Sequence, residues 1–270
     1  MLINRLSILG ALAILPAVAQ VSDAPLSLEG MPQLSRHQHG PIRIKEQRDD
    51  GTATSTNWSA YAVTGSSFTS AKGSWKVPTA TCPSGDQYAA FWVGIDGYTS
   101  ETVEQTGTDS DCDGSGRPSY YAWYEFYPNP SFTISSLTIK PGDEISAQVS
   151  YSGSEFTITI TDETTGKSYS KSSTVRGASR SSAEWIAEAP CCTARGGILP
   201  LADFGTVLFG EDSTGVTGTN EATMGGKTGV IGSFASVIAI TMESSTGALE
   251  AVPSALSSDG SSFSVTWDSQ

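Results

Sequence analysis

The sequence predicts an all-β fold, an antiparallel two-sheet sandwich of the jelly-roll or concanavalin-like kind. Short runs that alternate apolar and polar residues recur about every ten residues, as in FTITIT (156–161), VIAITM (237–242) and SFSVTW (262–267). Side chains of a strand point alternately to the two faces of a sheet, so this alternation is typical of strands with one buried face. No window keeps a helical period of about 3.6 residues over several turns. We therefore expect one sandwich domain over residues 53–270.

The N-terminus, residues 1–19, is predicted to be a signal peptide. Arg5 precedes the apolar run LSILGALAILPAV, and Ala17-Val18-Ala19 before Gln20 forms a small-x-small cleavage site. No other stretch is apolar for long enough to cross a bilayer. The sequence thus predicts secretion into an extracellular, oxidising environment, with no membrane association.

Residues 20–52 are predicted to be a propeptide, with a disordered linker as the alternative. The segment is rich in proline and basic residues and shows neither helical nor strand periodicity. The formal net charge of the chain is −13, and its acidic excess lies entirely after residue 52. Such an acidic domain repels nucleic acid. We expect the basic propeptide to inhibit by covering an acidic cleft, and to loosen when a falling pH protonates the carboxyl groups there.

Both histidines, His37 and His39, lie in the predicted propeptide, so the mature domain would contain no imidazole. This excludes Ser-His and Cys-His nucleophiles as well as histidine-ligated zinc. Catalysis would have to depend on carboxyl, amide, hydroxyl or amine groups. We expect neither a metal nor an organic cofactor.

The four cysteines predict two disulfides in a secreted chain, and four cysteines allow three pairings. A bridge between the adjacent Cys191 and Cys192 would be strained. We therefore expect each of these two to pair elsewhere, and the sequence does not choose among the pairings.

Several strands combine one apolar face with a second face on which aromatic side chains stand beside single carboxyl or amide groups. An ordinary solvent-facing surface would carry Ser, Thr and Lys, as FTITIT does. Aromatic groups beside single acids predict a concave sheet face that covers a ligand. Such faces hold Trp92 and Asp96 in FWVGIDG, Gln105 in TVEQTG, Tyr121, Trp123, Glu125 and Tyr127 in YAWYEFYP, and Glu184 and Glu188 in AEWIAE.

Six motifs in order resemble those of a known family: NWSAYAV, FWVGIDG, ETVEQTG, YAWYEFYP, AEWIAEAP and LPLADFGTV. The chain from Asn57 to Trp267 is similar to the glutamic peptidases (eqolisins) of fungi. The resemblance implies a β-sandwich and an acid-active, pepstatin-insensitive endopeptidase that acts on proteins and peptides. By motif position it implies a catalytic dyad of Gln105 and Glu188. It also implies substrate-binding or supporting positions in the cleft for Trp58, Trp92, Asp96, Trp123, Glu125 and Tyr127.

The chemistry of the implied dyad agrees with its surroundings in the sequence. Indole and aliphatic neighbours desolvate a glutamate and raise its pKa, which suits Glu188 to proton transfer in acid. Glu188 would activate the attacking water, or first protonate the carbonyl, and then protonate the leaving amine. The amide of Gln105 would donate to the developing oxyanion, a contribution typically worth about 3 kcal/mol. Without the resemblance, Glu188 would be interpreted as an exposed strand residue and Gln105 as a hydrogen bonder near a turn.

Two other functions fit the same faces. A jelly-roll glycoside hydrolase would use Glu125 and Glu188 as its paired carboxylates and the tryptophans as sugar platforms. A secreted lectin-like module would bind without turnover. We expect a monomeric peptidase.

Two short motifs have a simpler interpretation. DSDCDG (109–114) imitates the start of a calcium loop, but its twelfth position is Tyr120, so we predict an acidic surface loop. Asn57-Trp58-Ser59 is a glycosylation sequon whose occupancy the sequence leaves open.

Overall fold

The computed structural model describes residues 33–34, 37–191 and 196–269. The chain divides into Met1–Met31 and a compact unit, Pro32–Gln270, and only the second of these contains described residues. The predicted signal peptide, residues 1–19, and Cys192 lie outside the described residues. Within the described part no helix has the length and apolar character that a membrane crossing requires.

The described chain is built almost entirely of strands, with one short α-helix, α1 (Glu211–Thr214), and one 3₁₀ turn at Ile231–Ser233. The strands are β1 (Gln33–Leu34), β2 (Ile44–Gln47), β3 (Thr52–Ser55), β4 (Trp58–Thr64), β5 (Phe68–Lys76), β6 (Ala90–Ile95), β7 (Val103–Cys112), β8 (Pro118–Tyr127), β9 (Phe132–Thr133), β10 (Glu144–Ser152), β11 (Glu155–Asp162), β12 (Lys167–Ser173), β13 (Ser182–Glu188), β14 (Thr206–Phe209), β15 (Glu221–Met224), β16 (Lys227–Val230), β17 (Val237–Glu243), β18 (Leu249–Pro253) and β19 (Phe263–Trp267).

Two layers of sheet confirm the predicted sandwich. The front sheet has the order β2-β3-β17-β4-β13-β6-β7-β8-β9-β1, and all its pairs are antiparallel except β3 with β17. The back sheet has the order β12-β11-β10-β5-β14-β19-β18, and the β15-β16 hairpin also pairs with β5. Strand β18 pairs with β17 as well, so the two sheets are joined along one side.

Alternation places the main core between the sheets, as the sequence predicts. Phe91, Val93 and Ile95 of β6 pack inward against residues of the back sheet such as Ile158. The other face of β6 carries Trp92, which belongs to a second cluster on the outer face of the front sheet. This second cluster also contains Trp58, Val103, Trp123 and Ile186. Burial of apolar surface therefore stabilises both faces of the front sheet.

The structure corrects two expectations for the fold. Residues 20–52 were expected to lack strands, but β1, β2 and the first residue of β3 lie there. These strands pair with β9, β3 and β17 of the sandwich, and such pairing does not depend on periodicity within the segment. The expectation that Cys191 and Cys192 each pair with another cysteine of the chain, and not with each other, is wrong, because Cys82 and Cys112 form a disulfide with each other.

Candidate active site

The outer face of the front sheet forms a cleft floor, and the sheet register places the predicted dyad on it. Gln105 of β7 lies opposite Gly94 on β6 and Glu125 on β8. Glu188, at the end of β13, lies opposite Trp58 on β4 and Ala90 on β6. Since Gln105 and Glu188 are separated by β6 and offset along the strands, a ligand that touches both must cross the sheet diagonally.

Glycine at position 94 makes room for this arrangement. A Cβ atom there would lie 2.9 Å from the ring of Trp92 and 3.3 Å from Cβ of Gln105. Both distances are shorter than comfortable packing allows. Gly94 therefore lets the indole and the amide side chain lie next to each other on the floor.

Residues His37–Arg43, which we call the cleft segment, lie along this diagonal. At one end, backbone N–H groups of Gln38 and Cys191 donate to each other's carbonyl oxygens at 2.8 and 2.9 Å. At the other end, Ile42 N–H donates to Gly97 O at 3.1 Å. Backbone hydrogen bonds of this kind hold a chain in a groove without regard to its side chains.

Asn57 fixes the same end of the cleft segment through its side chain. Its Oδ1 accepts from the N–H of Arg43 at 2.7 Å, and its Nδ2 donates to Pro41 O at 3.1 Å. Asn57 is buried, with 2% of its surface exposed. In the folded chain the asparagine of the sequon therefore anchors the cleft segment, and its amide nitrogen is enclosed.

His39 lies at the centre of the cleft and contacts both members of the predicted dyad. Its carbonyl oxygen accepts a short hydrogen bond from Gln105 Nε2, and its Nδ1 lies 3.1 Å from Glu188 Oε2. Its N–H donates to Glu125 Oε2 at 2.8 Å, and its imidazole stacks on Trp123 with ring centroids 3.6 Å apart and planes within 5°. One residue thus connects Gln105, Glu188, Glu125 and Trp123.

Glu188 is buried, with 1% of its surface exposed, so its interpretation as an exposed strand residue is wrong. Strands β4 and β6 flank β13 on both sides. Burial raises the pKa of Glu188 well above its usual value, while the indole N–H of Trp92, which donates to Oε2 at 2.8 Å, opposes this rise. The indole N–H of Trp92 and Nδ1 of His39 thus meet at the same carboxyl oxygen, Oε2.

The other acids of the cleft are also desolvated. Burial raises the pKa values of Glu125 and Asp109 well above their usual range, and in Asp109 the neighbouring Asp111 adds to the rise. For an imidazole burial acts in the opposite direction, so it lowers the pKa of His39 well below 6.5, and His37 contributes to this shift. The cleft therefore favours neutral carboxylic acids around a neutral imidazole.

His37 contacts the acidic pair of β7, next to His39. Its Nε2 lies 3.0 Å from Asp111 Oδ2 and 4.0 Å from Asp109 Oδ2, and the hydroxyl of Tyr121 lies within 2.9 Å of both oxygens. These three groups could offer ligand atoms to a metal ion, since the atoms lie within 4.8 Å of one another. Their contacts with each other and with Tyr121 explain the arrangement as a hydrogen-bonded network, and we assign no metal to it.

The remaining predicted site residues occupy different places. Trp58 is buried and meets Trp92 edge-on at 4.9 Å, and the ring of Tyr127 lies beside Gly40. Asp96 accepts hydrogen bonds from the backbone N–H groups of residues 179–181, so it fastens a neighbouring loop and does not contact His39.

The sequence interpretation missed the acidic pair as part of the cleft. Asp109 and Asp111 lie in the buried strand β7, so the prediction of a surface loop at 109–112 is wrong. A signal was present: His37 and His39 are two residues apart, as are Asp109 and Asp111, so each pair lies on one face of an extended chain. The prediction that cations of the propeptide cover an acidic cleft did not identify the histidines as the groups inside it.

Comparisons with known proteins identify the family of the chain. The model of the Peptidase A4 family matches residues 56–267. Aspergillopepsin-2 from Aspergillus niger is 35% identical over 199 residues, which cover 64% of this chain and 66% of that protein. Scytalidopepsin B from Scytalidium lignicola is 40% identical over 121 residues, 43% of this chain and 44% of that protein. The matches thus span less than two thirds of the length of either relative.

A solved structure supports the fold over a larger part of the chain. Scytalido-glutamic peptidase, solved with a transition state analog inhibitor, superposes with a TM-score of 0.65 at 29% identity. The superposition covers 79% of this chain and 98% of that one. The relatives are named as peptidases, so the glycoside hydrolase and lectin alternatives lose their support. The chain belongs to the Peptidase A4 family, the fungal glutamic peptidases or eqolisins.

Proposed function

We propose that the chain is a secreted, acid-active endopeptidase that hydrolyses peptide bonds with Gln105 and Glu188 and is insensitive to pepstatin. One observation carries this proposal. The amide of Gln105 and the carboxyl group of Glu188 both contact His39, and the contact of Gln105 is to a peptide carbonyl oxygen. A peptide bound in this way presents the carbonyl that a peptidase must polarise.

Gln105 acts as the oxyanion donor. As water adds to a peptide carbonyl, negative charge develops on its oxygen, and a fixed N–H donor stabilises that charge more than it stabilises the ground state. Glu125 Oε2 lies 3.3 Å from Gln105 Nε2 and accepts from the same amide nitrogen, which fixes its direction. An amide keeps its N–H at every pH, so the donor is not lost in acid.

Glu188 transfers the protons. Burial raises the pKa of Glu188, so its ionised form is a stronger base than an exposed carboxylate, and the neutral acid formed from it can return the proton, as a general acid–base catalyst requires. Trp92 holds one carboxyl oxygen, so the other is left to face the reacting groups. Glu188 takes a proton from the attacking water and gives one to the leaving amine.

The zymogen form has its own support. With the boundaries expected from the sequence, residues 1–19 are the signal peptide, residues 20–52 the propeptide and residues 53–270 the catalytic domain. The cleft segment belongs to the propeptide and occupies Gln105, Glu188 and Glu125 at once, so no substrate can bind there until it leaves. A monomer is sufficient for this inhibition, since site and inhibitor are in one chain.

The first prediction tests the dyad with protein and polysaccharide substrates at about pH 3, with and without pepstatin. We expect pepstatin-resistant proteolysis that falls about 100- to 1,000-fold in Gln105→Ala, the range for loss of an oxyanion donor, and at least as far in Glu188→Gln. Glu125→Gln should mainly raise KM. The matched control is Glu184→Gln, because Glu184 is also buried, lies on the same face of β13 and makes no contact with His39 among the described residues. Polysaccharide cleavage alone, or full proteolysis by Glu188→Gln, would refute the proposal.

A further inference from the structure

The cleft segment lies across the active site as an extended peptide that is held on both sides of one bond. Upstream of His39, the backbone of Gln38 pairs with Cys191. Downstream, Pro41 O and the N–H groups of Ile42 and Arg43 are bound by Asn57 and Gly97. Hydrogen bonds to main-chain atoms on either side are what a peptidase uses to fix a substrate for cleavage between them.

The bond between these anchors joins His39 and Gly40. Its carbonyl oxygen, that of His39, is the one that accepts from Gln105 Nε2. The N–H on the other side of His39 donates to Glu125 Oε2, so the residue cannot slide along the cleft without losing both contacts. On the leaving side, glycine offers no side chain, and a Cβ atom there would lie 3.6 Å from the ring of Tyr127.

The three polar side chains that contact His39 each keep an unused acceptor atom. Oε1 of Gln105, Oε1 of Glu188 and Oε1 of Glu125 are buried and make no hydrogen bond to any described residue. The proposed attack requires a water molecule beside the His39 carbonyl, and acceptors of this kind can take its two protons. A surface pocket lined by Gly40, Pro41, Tyr127 and Cys191 lies on the leaving-group side and gives solvent a route to the bond.

We propose that the His39–Gly40 peptide bond is a self-cleavage site, cut by Gln105 and Glu188 of the same molecule. This inference rests on the proposed function, since it assigns that dyad its first substrate. The oxygen of water bonds to the carbonyl carbon of His39 while the ionised form of Glu188 takes one of the water protons and so becomes the neutral acid. The C–N bond to Gly40 then breaks, and Glu188 gives its proton to the Gly40 nitrogen. The products are a chain that ends in the carboxyl group of His39 and a chain that begins with the amine of Gly40.

Cleavage here removes the covalent tether of the inhibitor. The upstream product keeps only its non-covalent contacts, which among the described residues are the pairing of β1 with β9, the pairing of Gln38 with Cys191 and the contacts of His37 and His39 in the cleft. Residues downstream of the cut remain attached through β2, which pairs with β3. The upstream fragment can then leave the cleft by simple dissociation. Because bond and dyad belong to one chain, the cut is a first-order event.

The test follows the full secreted chain after transfer from neutral pH to about pH 3.5, with intact-mass and N-terminal analysis of quenched samples. We expect the earliest new ends to be the carboxyl group of His39 and the amine of Gly40. The rate constant should stay the same over a 100-fold dilution. Glu188→Gln should show neither end, and Glu184→Gln should show both. Mixing the Glu188→Gln chain with active enzyme then reports which bonds are cut between molecules.

The proteolytic activity of the same samples is measured on an acid-denatured protein. This distinguishes failure of the self-cleavage site from failure of the proposed function. Active enzyme whose earliest cut lies elsewhere, or whose cut at His39–Gly40 accelerates with concentration, overturns the self-cleavage site and leaves the peptidase intact. Loss of activity toward the added protein as well as toward the chain itself overturns the proposed function.

Discussion

His39 is kept neutral inside a cleft rich in carboxyl groups. Burial lowers its pKa well below 6.5, and His37 adds to this effect. The groups facing it are Glu188 from β13, Asp109 from β7 and, at its backbone N–H, Glu125 from β8. Burial also raises the pKa values of these acids, so they provide little negative charge to retain a proton on the imidazole.

The sign of the pH effect follows from this pKa. The docked imidazole has a lower pKa than the free one, so docking of the segment requires a neutral ring. Below about pH 6.5 the free segment becomes protonated, and each further pH unit weakens docking up to about tenfold until the docked pKa is reached. Acid thus loosens the inhibitor through the histidine. The carboxyl groups that docking buries act in the opposite direction, because their neutral forms favour the docked state.

We predict that His39→Asn removes the histidine part of this pH dependence. The side-chain N–H of asparagine lies close to the position of Nδ1 and can still donate to Glu188, but it does not titrate. A synthetic peptide of residues 20–52 and the same peptide with His39→Asn would be compared as inhibitors of the mature domain between pH 3 and 7, from initial rates recorded before either peptide is cut. As the pH falls, the inhibition constant of the histidine peptide should rise steadily relative to that of the asparagine peptide. Because both peptides meet the same carboxyl groups, parallel curves would contradict the prediction.

Strand β7 places the amide of Gln105 and the acidic pair on one face, and it approaches β6 closely at Gly107. Gly107 lies opposite Trp92 and Trp123 in the sheet. A Cβ atom there would collide with the carbonyl oxygen of Phe91 and lie 2.5 Å from Cβ of Trp92. Because Trp92 donates to Glu188, a shift at this point would reach the carboxyl group through the indole.

We predict that Gly107→Ala lowers the free energy of unfolding by about 1–3 kcal/mol or more, the usual range for overpacking. The measurement is urea unfolding in a Glu188→Gln background, which prevents self-digestion. Gly114→Ala is the control, since its Cβ would meet Asp86 at an ordinary 3.5 Å. Equal stability of the two variants would show that β6 and β7 can separate without loss.

The sequence predicted those strands whose burial pattern can be read from consecutive residues. In FTITIT, Ile158 and Ile160 are buried and the three threonines that alternate with the apolar residues are partly exposed, as the pattern indicates. Long-range contacts were not predictable in the same way. The strands within residues 20–52 and the Cys82–Cys112 pairing depend on neighbours distant in sequence. Asp109 is buried because the cleft segment covers the outer face of β7. The polar residues of DSDC give no indication of this cover.

Across the whole molecule, the buried acids determine how stability changes with pH. Burial raises the pKa of Glu104 to about 9, with a contribution from Asp96, and it also raises the pKa values of Glu184 and Glu188. Above about pH 4.5 these groups ionise in the unfolded chain before they ionise in the folded one, so stability falls as pH rises toward the folded pKa. Exposed acids have a small effect on stability, and only in stronger acid. Asp259 is an example, because hydrogen bonds from Ser257 and Ser261 lower its pKa to about 2. The fold should therefore be most stable in mild acid.

Glu104 permits a direct test of this dependence, because its carboxyl group is buried and lies on the opposite face of β7 from Gln105. In the sheet it lies opposite Ile95 and Phe126, and it has no exposed surface. Glu104→Gln keeps the shape and removes the ionisation. It should leave stability unchanged near pH 4 and raise it at pH 7 by up to about 3 kcal/mol, the equivalent of the pKa difference over that interval. Urea unfolding of both forms in the Glu188→Gln background, from pH 3 to 8, measures the effect. The control is Glu155→Gln on the exposed start of β11, which should follow the parent curve at every pH. If Glu104→Gln also follows it, the stability of this acid-adapted molecule does not depend on keeping its core carboxyl groups neutral.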